Sequence, residues 1–462
     1  MMGQLPAAQN ELFNEFCIEN HVPPHHLLRQ IDQVLDLEFL RQHLAPFYSH
    51  TGRPSIDPEL MIRMLLIGYC YGIRSERRLC EEVHLNLAYR WFCRLGLEDD
   101  VPDHSTFSKN RHGRFRESDL FRYVFEEIVH RCVAEGLVSG DGFAIDASTI
   151  RADVNWERGV AGKEILDHLD REQATRPVKE YFDALDNNEI TRTTPKKISL
   201  TDPHSQWATN RKSAADFSYS TNYLIDIKNN IIMDATATPT YRPNEVDSAK
   251  LMIDHVEETF DIKPQRLLGD TAYGSAPMLE WLVKNKNIEP HIPVWDKSDG
   301  KEGMYGRTDF VWKAEEDRYQ CPAGKSLLNR QRDFKTPRSG ITKDNTILYR
   351  AKKIDCDTCE HKMRCCPNTP HRKIARSIYE DSRDVARAIA KTSAYEKSRN
   401  DRKKVEVLFG HMKSIHKFDR LRLRGIHGAQ DEFLLVATTQ NLRRLAKLRY
   451  RPPPDDRINV SG

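Results

Sequence analysis

The sequence predicts a mixed α/β protein: a helical N-terminal domain, then a core in which helices and strands alternate, interrupted by a segment of different composition. Three observations carry this prediction. Apolar residues recur at helical spacing through most of the first 135 residues. After Gly140 the period changes, and short apolar runs lead into aspartates, Phe143-Ala144-Ile145 into Asp146 and Leu267-Leu268-Gly269 into Asp270. Of ten cysteines, the last five fall together between Cys321 and Cys366. A chain of 462 residues is too long for one ordinary core and implies two or three domains.

Within the first 135 residues, Ser55 or Asp57 can cap a helix with Pro58 and Glu59 in its first turn; Leu60, Met61, Met64, Leu65 and Ile67 carry it to Gly72. A second helix spans about Ser75 to Trp91. Pro102-Asp103-His104-Ser105-Thr106 stops one element and caps the next, which ends near His112, and Leu120 to Glu135 is amphipathic and closed by Gly136. The Phe143 to Ile145 run then reads as a buried strand with Asp146 at its tip. Val160 to about Asn188 looks helical, and Thr191 to Ala215 looks like loop. Tyr219 to Ile227 and Ile231 to Ala237 are strands joined at Lys228-Asn229-Asn230. A helix over Ser248 to Phe260, a strand over Arg266 to Asp270, a helix over Ala276 to Asn285 and a strand over Ile288 to Pro293 follow.

That order of elements is the ribonuclease H-like one, three antiparallel strands followed by alternating helices and strands that complete a mixed sheet. The expected domains are a helical domain at 1–135, the first part of the core at 136–295, an insertion with the cysteine cluster at 296–384, the last part of the core at 385–450 and a flexible tail at 451–462.

The stretch RKKVEVLFGHMK closes the core. At 100° per residue, Arg402, Glu406 and Lys413 fall within about 40° on one helical face, beside an apolar stripe of Val405, Leu408, Phe409 and Met412. An Arg and a Glu four apart usually form only a solvated ion pair, and an Asp at a strand end is commonplace. The order and spacing of Asp146, Asp270 and Glu406 raise the functional reading. Three carboxylates converging at a sheet edge need a hard cation, and one or two Mg²⁺ (or Mn²⁺) ions suit oxygen ligands. A pair of such ions supports in-line attack on a phosphodiester. Asp141, Asp153, Asp226 and Asp234 are rival acids of lower rank.

These residues carry a resemblance. IDASTIRADVN around Asp146, LTDPHSQWATN before the hairpin, LLGDTAYGS around Asp270, and RKKVEVLFGHMKSIHKFDRLRLRG with DEFLLVATTQNLRRLAK around Glu406 resemble a bacterial insertion-sequence transposase of the DDE type. GRPSIDPELMIRMLLIGYCYGIRSERRLCEEVHLNLAYRWFCRLGLEDDVPDHSTFSKNRHGRF resembles the helical domain that precedes the catalytic domain in one large group of these enzymes. The resemblance spans about Thr51 to Leu448. It implies Asp146, Asp270 and Glu406 as metal-binding catalytic triad, terminal inverted repeats and target DNA as partners, and a homodimer in the synaptic complex. The family signature around the last acid is Tyr, Arg, Glu, Lys. Arg402, Glu406 and Lys413 stand at the expected offsets, Arg399 occupies the tyrosine's usual place, and Tyr395 lies one helical turn earlier. A nuclease or resolvase on the same fold, cutting without strand transfer, and a non-catalytic DNA-binding relic are the rival functions.

With Lys plus Arg at 71 and Asp plus Glu at 68, the net charge of +3 says little about partners. Local bias says more. From Lys397 to Arg424 cations greatly outnumber acids, and Lys403, Lys404, Arg402, Lys413, Arg420, Arg422 and Arg424 are expected DNA contacts, with Arg111, His112 and Arg114 as lesser candidates. No apolar run reaches the eighteen or so residues of a membrane span, and the N-terminus lacks the pattern of an export signal, so a cytoplasmic, nucleoid-associated protein is expected. Cys17, Cys70, Cys80, Cys93 and Cys132 read as reduced core thiols. Cys356-x-x-Cys359, with Cys321 before it and Cys365-Cys366 after it, has enough thiols for a structural Zn²⁺ site on Cys321, Cys356, Cys359 and Cys365, with His361 and His371 as spare ligands.

Overall fold

Asp57 accepts the Glu59 N–H and Gly72, at φ 67°, ends the helix that begins there, α1 (Pro58–Tyr71). The computed structural model describes residues 16–49, 51, 55–164, 170–187, 190, 195–208, 215–240, 242–295, 303–329 and 339–449. The 451–462 tail lies outside them. The expected helix from Ser75 to Trp91 is two: α2 (Glu76–Leu85) and α3 (Leu87–Phe92), because the Asn86 side chain caps the second by accepting the Ala88 and Tyr89 N–H groups. Asp103 caps α4 (His104–His112), and α5 (Leu120–Ala134) buries Leu120, Phe121, Val124, Phe125, Ile128, Val129 and Cys132.

Strand β1 (Gly142–Arg151) is longer than expected, and Asp146 lies in its middle rather than at its tip. The apolar run ends at Ile145, but the polar residues after it keep the extended backbone because the second half of the strand finds its own partner, β5, and Arg151 bridges Arg420. Val160 belongs to a short strand pair, β2 (Gly159–Val160) with β3 (Ile198–Ser199), and the helix expected from 160 to 188 is α6 (Arg176–Asp186) among the described residues. The predicted loop holds β4 (Gln206–Ala208). The hairpin follows as expected, β5 (Asp216–Asp226) against β6 (Ile231–Pro239), with Asn230 at φ 55° in its turn. Next come α7 (Arg242–Phe260), β7 (Arg266–Leu268) and β8 (Glu289–His291).

The segment at 296–384 holds order that its composition did not announce. β9 (Val311–Lys313), β10 (Arg318–Gln320), β11 (Ser326–Leu328), β12 (Thr346–Arg350) and β13 (Lys373–Ser377) form an antiparallel sheet in the order β13-β12-β11-β10-β9. Phe310, Tyr319, Leu327, Tyr349, Ala351, Cys356, Cys366 and Ile374 make its buried cluster. Three helices follow among the described residues: α8 (Glu380–Ile389), α9 (Ser393–Ser414) and α10 (Ile426–Arg449).

Two compact units result, and the division cuts through β1, α7 and α9. One holds the N-terminal helices to Ser139, residues 147–248 and the chain from Glu406 onward. In it β4, β5 and β6 pair antiparallel and the second half of β1 lies beside β5. Its centre is α10, apolar or neutral through most of its length and buried on nearly every side from Gly428 to Ala446, which marks a core helix. The Asn441 amide both donates to and accepts from the backbone of Ile232, fixing α10 on β6. The second unit holds residues 140–146 and 249–405, with the start of β1, then β7, then β8 in parallel order. Both units mix helix and sheet.

Candidate active site

Within the second unit, β1 and β7 run parallel with Gly142 opposite Arg266, Phe143 opposite Leu267 and Ala144 opposite Leu268. Two residues further along each chain stand Asp146 and Asp270, so the register carries the two carboxylates forward as neighbours on the same face. The residues beneath them are apolar and inaccessible to water: Phe143, Ala144, Ile145, Leu267 and Leu268. Gly269 permits the close fit at the end of β7, since a Cβ there would stand 3.2 Å from Ile145 Cγ2 and 3.3 Å from Tyr273 Cδ2. The runs are buried and the acids that follow them are partly exposed, so both carboxylates are open to water just past the paired residues of β1 and β7.

Asp270 is held in place by its own backbone. Its Oδ1 accepts the Ala272 N–H at 2.7 Å and caps the turn Thr271–Tyr273. Oδ2 has no hydrogen bond or ion pair among the described residues. Asp146 is approached by Arg402, whose Nη2 lies 4.0 Å from Oδ2. The ion pair that helical spacing alone suggests, Arg402 with Glu406, does not form. Arg402 is turned toward the strand, its Nε buried without a hydrogen-bond partner among the described residues.

Beside them on the sheet, β8 pairs parallel with β7 and sets His291 opposite Leu268. His291 is buried, burial pushes its imidazole below its ordinary range, and its Nδ1 has no hydrogen-bond partner among the described residues. The ring stacks on Tyr395 at 6.1 Å between centroids and 25° between planes. Desolvation raises the Tyr395 phenol, while Arg399 and Arg402 act to lower it. Sequence reasoning missed His291, because a three-residue strand, Glu289-Pro290-His291, carries no readable period. Tyr395 was visible only as a tyrosine one turn before the usual position.

On α9 the predicted apolar stripe is real for Val405, Leu408 and Met412, all buried. Glu406 is exposed and makes no hydrogen bond or ion pair among the described residues. In the first unit, Lys413 is half-buried, which lowers its pKa, and its Nζ lies 3.5 Å from the Thr149 carbonyl oxygen on β1.

Three of the rival acids are committed elsewhere. Asp153 ion-pairs with Arg420 and Arg424, at 3.4 and 3.1 Å. Asp226 is fully buried and accepts the N–H groups of Ser139 and Lys228. Asp234 pairs with Arg122 at 2.5 Å. Asp141 is exposed one residue before β1. Among the expected DNA contacts, Arg420 and Arg424 spend part of their charge on Asp153, Lys404 lies 2.8 Å from Asp401, Lys403 bonds Asn400, and Arg422 has an exposed side chain. Arg111 is a correction: it is buried and paired with Glu76 at 2.5 Å, a structural role.

Among the described residues no three His, Cys, Asp or Glu side chains are already gathered as a metal-ligand set. The cysteine segment lies in the second unit, where Cys321, Cys356, Cys359, Cys365 and Cys366 line one pocket and all are free thiols. Burial, then the neighbouring Cys366, pushes the Cys365 thiol up to about 12.

Comparison with known proteins gives two family matches. Residues 16–113 match the family model of a transposase domain, DUF772, and residues 320–446 match that of a transposase DDE domain. Two transposase models, one toward each end of the chain, support a transposase of the DDE type, of the insertion-sequence kind. The second match begins inside the cysteine segment and includes Arg402, Glu406 and Lys413; Asp146 and Asp270 lie outside both matches. No curated protein and no solved structure matches the chain. No helix among the described residues is long and apolar enough to cross a membrane.

Proposed function

We propose that this transposase binds the terminal inverted repeats of its own element as a homodimer in the cytoplasm, cuts the DNA at the ends and joins the freed 3′-hydroxyls to target DNA. Asp146, Asp270 and Glu406 form its catalytic set on a ribonuclease H-like core. The observation that carries this reading is the juxtaposition of Asp146 and Asp270 on adjacent parallel strands, with Arg402, one helical turn before Glu406, reaching toward the first of them. The donor set fits a hard divalent ion. All three groups are oxygen ligands, and Asp270 Oδ2 and Glu406 are left without partners among the described residues, whereas the rival acids Asp153, Asp226 and Asp234 are paired. Bound there, Mg²⁺ or Mn²⁺ supplies activation of the attacking oxygen and stabilisation of the leaving one.

The chain's own residues do the rest. Asp270, fixed by its bond to the Ala272 N–H, presents a carboxylate of set orientation. Arg402 adds positive charge where a phosphate would gather it, and Lys413 adds a second cation further along the same helix. Lys403, Lys404, Arg420, Arg422 and Arg424 give affinity for the DNA backbone without reading its sequence. The N-terminal domain, residues 1–135, holds the DNA ends and the partner subunit. Incubating the protein with DNA that carries the element's ends and Mg²⁺ tests this, and joined products are expected. Cleavage with no joining would make it a nuclease, and end binding with neither reaction would make it a binding protein.

A further inference from the structure

The small sheet of β9 to β13 is built from strands of three to five residues around a cluster of eight buried side chains, two of them cysteines. Strands this short seldom hold a fold by burial alone, and natural domains of this kind are commonly stapled by a metal or by disulfides. No disulfide is present: all five cysteines here are free. They come from three places in the chain, the turn after β10, the turn at Cys356 to Cys359 and the helical turn Lys362–Cys365 with Cys366 after it, yet all five line a single pocket.

We propose that Cys321, Cys356, Cys359 and Cys365 bind one Zn²⁺ that staples this sheet. Four details support the assignment. The Cys321 Sγ accepts the Lys325 N–H at 3.3 Å, a bond that favours a thiolate and fixes the direction of the sulfur. Cys356 and Cys359 have the two-residue spacing of a metal knuckle, with the Cys359 N–H on the Cys356 carbonyl. Arg372 donates to the Cys365 carbonyl at 2.8 Å, which ties the third turn to the start of β13. Lys325, Lys362 and Arg372 line the same pocket with only Asp355 against them, so the negative charge that four thiolates leave on one Zn²⁺ is offset locally. Cys366, only 6 % exposed, belongs to the apolar cluster, whereas Cys365 and Cys321 pack at its rim. Cys356 lies in the same cluster but has the two-residue knuckle spacing with Cys359 that Cys366 lacks, and Cys365, packed at the rim, completes the set. The thiols line the pocket without forming a ready-made ligand set, so zinc closes the site by rotating their side chains inward.

Zinc is silent in spectra, so its content is measured directly. The full chain, purified without chelators or metal-affinity resin, is expected to hold about one Zn²⁺ per chain, released as its thiols are titrated with a mercurial reagent. Replacement by Co²⁺ is expected to give the near-ultraviolet absorption of thiolate-bound cobalt. Cys359→Ser and Cys365→Ser should each lose the metal, while Cys366→Ser and the remote control Cys70→Ser keep it. A wild-type chain free of zinc, with these thiols open to titration or joined as a disulfide such as Cys356 to Cys366, overturns the proposal, and needs no variant to fold. Retention of zinc by Cys365→Ser with its loss in Cys366→Ser overturns the choice of fourth ligand.

Discussion

Glu406 and Glu432 lie on consecutive helices and could not be treated more differently. Glu432 is fully buried on α10, ion-paired with Arg74, and its Oε1 accepts the N–H groups of Arg422 and Leu423 at 2.6 Å each. Around it the same economy prevails: Arg74 lies over the Phe418 ring at 4.9 Å, and the buried His416 reaches the Tyr69 carbonyl at 2.8 Å and Gln440 at 3.2 Å. Glu406, on α9, is exposed and has no partner among the described residues. A buried polar group must be satisfied, so partners on every side mark a residue whose work is to hold the fold. Glu406, exposed and unpaired among the described residues, is the acid that the proposed function assigns to a metal ion.

The contrast predicts which substitutions destroy chemistry and which destroy structure. The largest effects belong to Asp146→Asn, Asp270→Asn and Glu406→Gln, each expected to lower strand cleavage about 100-fold or more, roughly 3 kcal/mol of barrier. Asp270→Asn retains an oxygen to cap Ala272, so its stability should stay within about 1 kcal/mol of wild type. Urea denaturation run beside the cleavage assay checks both halves. Unfolding of any of the three variants would move that acid to the structural class.

Glu432→Ala reverses the pattern. It strands Arg74 in the interior and should cost about 3 to 5 kcal/mol of stability, read as a fall in the urea midpoint. A shift of the midpoint too small to measure would show that the buried pair does not hold the Arg420 to Arg424 loop. Arg402→Ala is smaller, near tenfold in cleavage with end-DNA affinity changed less than about twofold. Equal losses in both assays would reduce Arg402 to a phosphate contact.

The smallest effect concerns pH. Burial lowers His416 to about 4. As the pH falls below the ordinary imidazole value of 6.5, the unfolded chain takes up a proton that the folded chain refuses, so His416 erodes stability between about pH 6.5 and 4. Asp202 and Asp431, raised by burial to about 6 and about 7, act in the opposite sense over the acid range. The readout is therefore the difference between wild type and His416→Gln, whose denaturation midpoint should fall less on acidification. Parallel curves would show that His416 carries no part of the acid sensitivity.

Much of this frame was legible in the residues. Period and caps gave α1, α4 and α5 nearly to the residue, because Asp57, Asp103, Gly72 and Gly136 act locally. The apolar runs before Asp146 and Asp270 gave two buried strands. Their parallel pairing was implied by element order, but the continuation of β1 beyond Asp146 was not, since Ser148, Thr149 and Arg151 have no period of their own and are extended by their neighbours. Helical spacing offered Glu406 to Arg402, whereas the side chain turned to Asp146, a tertiary choice that no local rule contains. The small sheet was hidden because Val311-Trp312-Lys313 and Arg318-Tyr319-Gln320 are too short for alternation to show.

The central claim is that Asp146, Asp270 and Glu406 share bound metal ions. Loading the protein with Fe²⁺ in place of Mg²⁺ and generating hydroxyl radicals at the metal, with the peptide cuts mapped by mass spectrometry, tests it at the ligands themselves. Cuts are expected near all three acids, suppressed together by excess Mg²⁺. Cuts near only two of them, or cuts indifferent to Mg²⁺, would contradict it.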